Sequence, residues 1–283
     1  MLMRFCYFLL MLALFAPGPK ASAEQSLTYP RPARQDSTII DYPQALLKGA
    51  LSAAGLPYKL QASSESLVQS RALKQLEDDQ GIDVVWTMTS IEREKNLLPV
   101  RIPIYKGLYG WRLLLIKPQS QSLLEEVSDL SGLARLPLLQ GRGWPDTHVL
   151  LANGLRVYGT PHIEGLFDML QHDRGVAFPR SVLEIWREQD YYQHDLVVEK
   201  HLVLYYPTAM YFFFRKSDQK LATGVTSGLL RMQESGEFDR LFTLYHQHAV
   251  DKAGLAQRKV LSLWNPLLPQ ATPLEQERFW YRP

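Results

Sequence analysis

The segment that decides the fold is IDVVWTMTSIEREKNLLPVRIPIY, which runs from Ile82 to Tyr105. It opens as a buried strand, passes into a polar stretch that contains Arg93, and returns as an extended, proline-containing segment. Open α/β sheets bind ligands at the carboxyl ends of their strands. A guanidinium group suits a carboxylate because its donors form a planar fork. The segment therefore predicts a strand that leads into a carboxylate-binding loop.

The N-terminus resembles a secretory signal peptide. Arg4 precedes an apolar run from Phe5 to Ala16, and Ala21-Ser22-Ala23 follows. A positive start, a short apolar core and an A-x-A end are typical of an exported protein. The apolar run is shorter than the roughly 20 residues that span a bilayer, although an uncleaved anchor is the alternative. We expect residues 1–23 to be removed after Ala23 and the mature protein to lie in the periplasm.

Charge and cysteine content exclude several classes of function. Two of the 31 basic residues, Arg4 and Lys20, lie in the predicted signal peptide, so the mature chain has 29 basic and 29 acidic residues. This balance gives no reason to expect a nucleic acid as partner. The only cysteine, Cys6, is also removed, so the mature protein has no disulfide and no thiolate site. We expect no cofactor and no metal.

Helical and extended patterns alternate along the chain. A helix is predicted over residues 42–54, a strand over 58–61, a helix over 66–79 and a strand over 82–86. Alternation of this kind favours a parallel sheet with covering helices. A long extended run at 107–116 then leads into a second alternating unit.

A second extended run at residues 210–214 follows that unit and leads into helical sequence. Two α/β units joined by two extended crossings predict an α/β fold of two lobes, each a mostly parallel sheet flanked by helices, with two hinge strands and a cleft. The expected first lobe comprises residues 24–110 and 213–283, and the second comprises 111–212. Residues 250–283, here called the C-terminal strap, contain two tryptophans and four prolines after Gly254. We expect the strap to pack on the first lobe, since its aromatic content argues against disorder.

Several short motifs occur in a characteristic order between residues 26 and 248. They are Ile82–Val85, Glu92–Arg93, Pro103–Tyr105, Gln140–Gly141, Asp173–Gly175, Arg215–Asp218, Glu234–Asp239 and Tyr245. In this order they resemble the family 3 solute-binding proteins, the amino-acid-type type II periplasmic binding proteins. The resemblance implies a two-lobed monomer that closes on a small ligand and presents it to an inner-membrane ABC permease or a sensor protein.

The resemblance also assigns site residues. The family's carboxylate-binding residue falls on Arg93, but the loop before it is shorter than in typical members, so Arg101 is a rival. The alternative for Arg93 is a solvated residue paired with Glu92 or Glu94. On the same side we expect three further lining residues: Trp86, Thr87 and Thr89.

In the second lobe, the segment Gln140–Thr147 spans a strand end and a helix start. Glycines there let backbone N–H groups approach an anion. We expect the ligand to contact Arg142, Gly143, Trp144 and Thr147. The alternative is an ordinary helix start in which Asp146 or Thr147 caps the first turn.

The family's ammonium-binding acid falls near Phe178–Ser181, where no carboxylate is present. An unpaired, desolvated ammonium is costly, so the sequence favours an anionic carboxylate ligand that also contacts Arg180 and Ser181. The alternative is that Arg180 pairs with Glu184, one helical turn later.

Other functions receive less support from the sequence. Glu92, Asp146 and Glu164 could act as acid or base in a lyase or dehydratase on the same scaffold. Neither a Gly-x-Ser-x-Gly nor a His-Glu-x-x-His motif occurs. A binding fold that has lost its ligand and serves as an interaction module is a third alternative.

Overall fold

The computed structural model describes residues 25–31, 37–192 and 195–283. The predicted signal peptide lies outside these ranges. Within them the chain forms a mixed α/β structure of two lobes, which confirms the predicted fold class. None of the helices in these ranges is both long enough and apolar enough to span a bilayer.

Twelve strands occur in the described residues. In chain order they are β1 (Gln25–Arg31), β2 (Tyr58–Ser66), β3 (Val85–Met88), β4 (Leu98–Val100), β5 (Trp111–Ile116), β6 (Pro137–Leu139), β7 (Arg156–Tyr158), β8 (Ala177–Ser181), β9 (Val197–Val198), β10 (Leu202–Tyr205), β11 (Met210–Phe214) and β12 (Lys259–Ser262).

Ten α-helices accompany them in the same part of the chain. They are α1 (Ser37–Ala53), α2 (Gln69–Glu77), α3 (Ile91–Asn96), α4 (Gln121–Glu125), α5 (Leu130–Leu133), α6 (Pro145–Ala152), α7 (Ile163–Gln171), α8 (Ile185–Tyr192), α9 (Gln219–Glu234) and α10 (Glu237–Ala253). The sequence predicted helical structure after the second extended run, without a division into two helices. Gly236, which has a positive φ of 78°, divides it into α9 and α10.

The first lobe contains two small sheets and a helical layer. Strands β1 and β2 pair in parallel, and β11 pairs antiparallel with β3 and β4. Two backbone bonds, from Asp83 and Val84 to the Thr28 carbonyl, link the sheets at 2.9 and 3.2 Å. Helices α1 and α9 pack closely because Gly228 faces the Ala50 carbonyl, where any Cβ would lie 1.9 Å from the oxygen. Their apolar faces form much of the core.

The second lobe is built on one mixed sheet in the order β12-β10-β5-β8-β6-β7, with β9 also paired to β5. The ladders among β6, β7 and β8 are parallel, as the alternating pattern predicted, whereas β5 runs antiparallel to its neighbours. Every residue of β5 is buried. This strand therefore forms the centre of the sheet, and its N-terminal end faces the first lobe.

Two chain crossings connect the lobes, one between β4 and β5 and one between β10 and β11. They run against each other: the Tyr206 N–H donates to the Gly110 carbonyl at 3.2 Å. Gly110 is required there because a Cβ would lie 2.1 Å from the Tyr206 carbonyl oxygen. The crossings therefore form a paired hinge, which lies directly before β5 and β11; these two strands contain most of the two predicted extended runs.

The C-terminal strap departs from the expected arrangement. The sequence placed it wholly with the first lobe, but β12 pairs in parallel with β10 and extends the sheet of the second lobe. Leu261 and Leu263 are buried in the core of that lobe. The strap then crosses to the first lobe, where Phe279 is buried. Strand β12 was not predicted, because its short sequence carries no clear alternation.

Candidate ligand-binding site

A cavity of about 850 Å³ lies between the two lobes. Its size is within the range of sites that hold small organic molecules. Residues from both lobes line it. From the first lobe and the hinge these are Gln69, Trp86, Thr87, Met88, Arg93, Tyr105, Tyr109 and Met210. From the second they are Arg112, Trp144, Pro145, Asp146, Ile163, Arg180, Glu184, Arg187, Glu188, Tyr191 and Tyr192.

Arg93 is positioned by the start of helix α3. Ser90 caps this helix, its hydroxyl accepting from the Arg93 backbone N–H at 3.2 Å. The guanidinium then turns towards the cavity and donates to the Thr87 hydroxyl at 2.8 Å, the Met88 carbonyl at 2.5 Å and the Gln69 side-chain carbonyl at 2.8 Å. All three acceptors are uncharged.

Among the described residues, Arg93 makes no salt bridge, although Glu92 is its sequence neighbour. Burial lowers the pKa of Arg93, and the field of Glu92 offsets only part of this effect. A guanidinium has five N–H donors, and the three bonds above use three of them. The remaining two are available to an anion in the cavity.

Arg101, the rival anchor, lies outside the cavity. It pairs with Glu94 at 2.5 Å, and 41% of its side chain is exposed. Glu94 also accepts from the Thr89 hydroxyl at 2.6 Å. Because Arg101 already has a carboxylate partner and does not line the cavity, Arg93 is the better candidate for a ligand's carboxylate.

On the opposite wall, Arg112 is almost fully buried at the start of β5, with 2% of its surface exposed. It contacts Asp146 at 2.5 Å and Glu184 at 3.3 Å, and the Tyr206 hydroxyl donates to the same oxygen of Asp146. Burial alone would lower the pKa of Arg112, but Asp146, Tyr206 and Glu184 outweigh it and raise the pKa. Arg112 therefore stays charged, with two carboxylates beside its terminal nitrogens, whereas its buried Nε–H has no hydrogen-bond partner in the structure.

Arg180 is held in the same network. It donates two parallel bonds to Glu188, at 2.6 and 2.5 Å, and lies 3.3 Å from Glu184. Its guanidinium also lies over the Trp144 ring, 5.1 Å from the centroid, a cation–π geometry. Burial opposes the charge here too, yet Glu184 and Glu188 raise the pKa of Arg180.

Glu184 stands between the two arginines and lines the cavity. Burial raises its pKa, and the nearby carboxylates Glu188 and Asp146 act in the same direction against Arg180 and Arg112. Tyr109 lies beside this network, and its burial together with the charge of Glu184 raises the pKa of its hydroxyl. Burial and the neighbouring carboxylates therefore disfavour the charged form of Glu184.

The charges that line the cavity do not balance. Four arginines line it, Arg93, Arg112, Arg180 and Arg187, against three carboxylates, Asp146, Glu184 and Glu188. The three carboxylates belong to the network around Arg112 and Arg180, and Arg187 lies on the same helix as Glu188. The formal excess of one positive charge therefore falls on the first-lobe wall, at Arg93.

The structure brings together half of the predicted site. Five predicted residues line the cavity: Trp86, Thr87, Arg93, Trp144 and Arg180. Five others do not: Thr89, Arg142, Gly143, Thr147 and Ser181. Thr89 is buried against Glu94, and Thr147 donates to the Gly141 carbonyl at 2.7 Å.

The remaining misplaced residues have other local roles. Arg142 is exposed and donates to the Gly159 carbonyl at 3.2 Å. Gly143 has a positive φ of 82°, which the turn before α6 requires. Ser181 is buried, and its hydroxyl donates to the Leu108 carbonyl at 3.4 Å. The glycines of this segment therefore shape a turn, and of the segment's four predicted contact residues only Trp144 lines the cavity.

The structure revises two predictions about the charged residues of the site. Arg180 pairs with Glu184, as the alternative interpretation stated, and even more closely with Glu188. The expected lack of a carboxylate on this wall is wrong, because Asp146, Glu184 and Glu188 all line the cavity. Asp146 does not cap α6; it pairs with Arg112.

Sequence reasoning missed Arg112, Tyr109, Glu184 and Glu188 as cavity residues. One signal was available, since Arg112 interrupts an otherwise apolar strand and a charged residue there must find partners in the fold. The spacing of Arg180, Glu184 and Glu188 at intervals of four residues was a second signal, although Arg180 lies on β8 and only Glu188 lies on α8. In the parts of the chain that the structure describes, no group of three or more histidine, cysteine or acidic residues could hold a metal ion.

Comparison with solved structures identifies the architecture. No protein-family model matches the sequence, and no curated protein matches it. By structure, the chain resembles the probable amino-acid ABC transporter extracellular-binding protein ytmK from Bacillus subtilis, with a TM-score of 0.60 and 17% identity, over 78% of this chain and 97% of that one.

Two further structures agree. An ancestral arginine-binding protein bound to arginine has a TM-score of 0.57 and 15% identity, over 78% of this chain and 98% of that one. The GluR0 ligand-binding core from Nostoc punctiforme, in complex with L-glutamate, has a TM-score of 0.53 and 13% identity, over 78% of this chain and 99% of that one. The chain has the fold of the family 3 solute-binding proteins. At these identities the likeness establishes the solute-binding fold, and the cavity between the lobes is where that fold would hold a ligand.

Proposed function

We propose that this protein is a periplasmic solute-binding protein that closes its two lobes on a small carboxylate-bearing anion for ABC-type uptake. The proposal rests on the position of Arg93. Its guanidinium lines the cavity, bonds only to uncharged oxygens, and forms no salt bridge with any described residue. Burial disfavours the charge of this half-buried guanidinium, and a ligand carboxylate would offset that cost.

The ligand would act as the link between the lobes. Arg93 lies on the first lobe, and the Arg112–Arg180 network lies on the second. A ligand that contacts both walls stabilises the closed state relative to the open one, which is how a binding protein reports occupancy. The structural neighbours support this role, because their names describe binding proteins for amino acids.

The second candidate is a zwitterionic amino acid. Glu184 lines the cavity and has a raised pKa, because burial and two neighbouring carboxylates disfavour its charge. A ligand ammonium near Glu184 would stabilise the ionised form. In that arrangement Arg93 would bind the carboxylate and Glu184 the ammonium.

The test is calorimetric titration of mature protein (residues 24–283) with matched pairs of compounds: succinate and aspartate, or 3-phenylpropanoate and phenylalanine. Tighter binding of the acids supports the anionic ligand, and tighter binding of the amino acids supports the second candidate. Failure of every carboxylate to bind at millimolar concentration would contradict both.

The matched variants are Arg93→Gln and Arg101→Gln. Removing the carboxylate anchor should weaken binding by at least tenfold, because a charge-assisted bidentate bond is worth about 1.5–3 kcal/mol. Arg101→Gln should bind like the wild type, since Arg101 is outside the cavity. Equal losses in the two variants would remove Arg93 from the site.

Two other roles share this architecture. A sensing subunit would bind the same ligand and differ only in the membrane protein that it contacts, so pull-down with a permease or a sensor separates uptake from signalling. A lyase or dehydratase would convert the compound. Mass spectrometry of the recovered ligand should show it unchanged, and a new product would favour the enzyme.

A further inference from the structure

The cavity walls contain many aromatic residues. Six of the lining side chains are aromatic: Trp86, Tyr105, Tyr109, Trp144, Tyr191 and Tyr192. A cavity of about 850 Å³ is far larger than a short aliphatic acid needs. Aromatic walls favour ligands that offer a flat apolar face, because offset or edge contacts between rings add stability beyond the burial of area.

The two indole rings come from opposite lobes, and each is fixed by its surroundings. Trp86 lies on β3, and Tyr29 and Phe212 contact it at centroid distances of 5.5 and 6.3 Å. Trp144 precedes α6, where Arg180 lies over its ring and Gly141 packs beneath it. Any Cβ at Gly141 would lie 2.2 Å from the indole. Neither ring therefore depends on a ligand for its position.

We propose that the ligand is a ring-bearing carboxylate, an aromatic or unsaturated cyclic acid whose ring packs against Trp86 and Trp144 while its carboxylate binds Arg93. This rests on the proposed function and names its substrate class. Arg93 bonds to Thr87 and Met88, the two residues that follow Trp86. The carboxylate anchor and the first indole are therefore adjacent on one wall, as the anchor and ring of one small molecule require.

The experiment measures dissociation constants of benzoate, phenylacetate, cyclohexanecarboxylate and hexanoate with the mature protein. We expect the aromatic acids to bind at least tenfold more tightly than hexanoate. Trp86→Leu and Trp144→Leu should each reduce that preference several-fold, whereas Tyr158→Leu should not, since Tyr158 is 48% exposed and does not line the cavity. Trp86→Phe and Trp144→Phe should retain the preference if a leucine variant does not fold.

Equal affinity for hexanoate and phenylacetate would overturn the ring proposal and leave the carboxylate site intact. An unchanged preference in both leucine variants would overturn it as well. The absence of binding by all four acids would instead contradict the proposed function.

A separate observation concerns the C-terminal strap, which is anchored to both lobes. On the second lobe, the Trp264 backbone N–H donates to the Asn153 side chain at 2.9 Å, and the Asn153 amide donates back to the Trp264 carbonyl at 2.7 Å. On the first lobe, the Ile91 backbone N–H donates to the Leu267 carbonyl at 3.1 Å. Ile91 begins α3, the helix that carries Arg93.

The strap also contacts both hinge crossings. The Asn265 side chain donates to the Pro207 carbonyl at 2.9 Å, and the Tyr281 N–H donates to the Lys106 carbonyl at 2.8 Å. The Trp280 ring lies against Gly107, where a Cβ would be 2.5 Å from the ring. These contacts place the strap beside the hinge along both crossings.

We infer that the strap is a third connection between the lobes and limits how far the cleft opens. Only three residue steps separate Trp264 from Leu267, and an extended chain spans at most about 10 Å over that length. An opening that would draw Trp264 and Leu267 farther apart than this reach must break one of the two anchors. Closure is not restricted, because a tether resists only separation.

The experiment lengthens the tether without removing its anchors, by inserting Gly-Gly-Ser-Gly between Asn265 and Pro266. The control inserts the same residues between Leu274 and Glu275, which are both exposed and follow the crossing. Because the only native cysteine is Cys6, Glu77→Cys and Glu126→Cys give one spin label on each lobe of the mature protein.

Pulsed electron spin resonance then measures the distance between the labels without ligand. We expect one narrow distribution in the parent and in the control, and a broader distribution with longer distances after the insertion at Asn265. Identical distributions in all three proteins would overturn the tether, and so would an effect of equal size in the control.

Discussion

In the first-lobe wall of the cavity, Arg93 donates to three uncharged oxygens, whereas in the second-lobe wall Arg112 and Arg180 contact three carboxylates. The same residue type therefore has two roles that follow from its partners. A buried arginine that contacts carboxylates supports the fold, and removing it leaves those carboxylates uncompensated. A half-buried arginine without a carboxylate partner adds little to the fold and can bind a ligand.

The interiors of the two lobes, behind the cavity walls, also differ in whether they contain charged groups. Behind the first-lobe wall, His246 contacts the rings of Tyr42, Phe242 and Tyr105 at centroid distances of 4.4, 5.3 and 5.3 Å. Burial among these rings lowers the pKa of His246 to about 4. The first lobe thus excludes charge from its interior, whereas the second lobe keeps charges inside and pairs them.

The largest expected effect is on the paired wall. Arg112→Gln should lower the free energy of unfolding by about 3–5 kcal/mol, because Asp146 and Glu184 lose the cation that they contact. Urea denaturation at pH 7 measures the change, with Arg240→Gln as the control, because Arg240 and its partner Glu237 are both exposed. A decrease of less than about 1 kcal/mol in the free energy of unfolding would show that the second-lobe network contributes little to stability.

His246 tests the interior of the first lobe. Its pKa of about 4 in the folded protein lies below the ordinary 6.5, so the unfolded chain binds the proton more tightly. Stability should fall by roughly 3 kcal/mol as the pH drops from 6.5 to 4. His246→Phe should abolish this part of the pH dependence, and His248→Phe, on an exposed position of the same helix, should retain it. If stability falls equally steeply with pH in the wild type and in both variants, burial of a neutral His246 in the first lobe is contradicted.

Glu184 should show the opposite pH dependence. Its pKa is raised in the folded state by burial, so the folded protein binds the proton more tightly than the unfolded chain does. This contribution to stability is complete below the ordinary pKa of 4.5 and is lost as the pH rises through the folded value. The difference in stability between wild type and Glu184→Gln, measured from pH 4 to 7, should decrease with pH. A difference that grows with pH would show that folding lowers the pKa of Glu184 and would contradict this prediction.

The smallest expected effect on stability belongs to Arg93. Arg93→Gln should change the free energy of unfolding by at most about 1 kcal/mol, because the charge has no carboxylate partner to leave behind. The same urea experiment serves as the measurement. A loss as large as that of Arg112→Gln would make Arg93 a structural residue and remove the contrast between the walls.

Much of the architecture was predictable from local pattern. The second extended run became β11 at the predicted residues, most of the first became β5, and the crossings that precede these strands form the paired hinge. The division of the last helical run at Gly236 was missed because glycine also occurs inside helices. Strand β12 was missed because its partner, β10, lies far away in the sequence.

The candidate site was less predictable. Trp86 lies on β3, Arg93 follows that strand, and the end of a strand is visible in the sequence. Arg142 and Thr147 were misplaced because the direction of each side chain depends on how the turn at Gly143 is shaped. No local pattern shows which way such a turn points its neighbours.

The sequence by itself determined the two-lobed α/β fold, the paired hinge and the choice of the loop that carries Arg93, because these follow from the period of apolar residues and from glycine and proline positions. Only the tertiary structure decided which arginines are paired and that the strap joins both lobes. Asp146 and Glu184 are distant from Arg112 in the chain, and β12 is distant from β10. Pairing of charges and strands across such separations depends on packing in three dimensions, which leaves no periodic trace in the sequence.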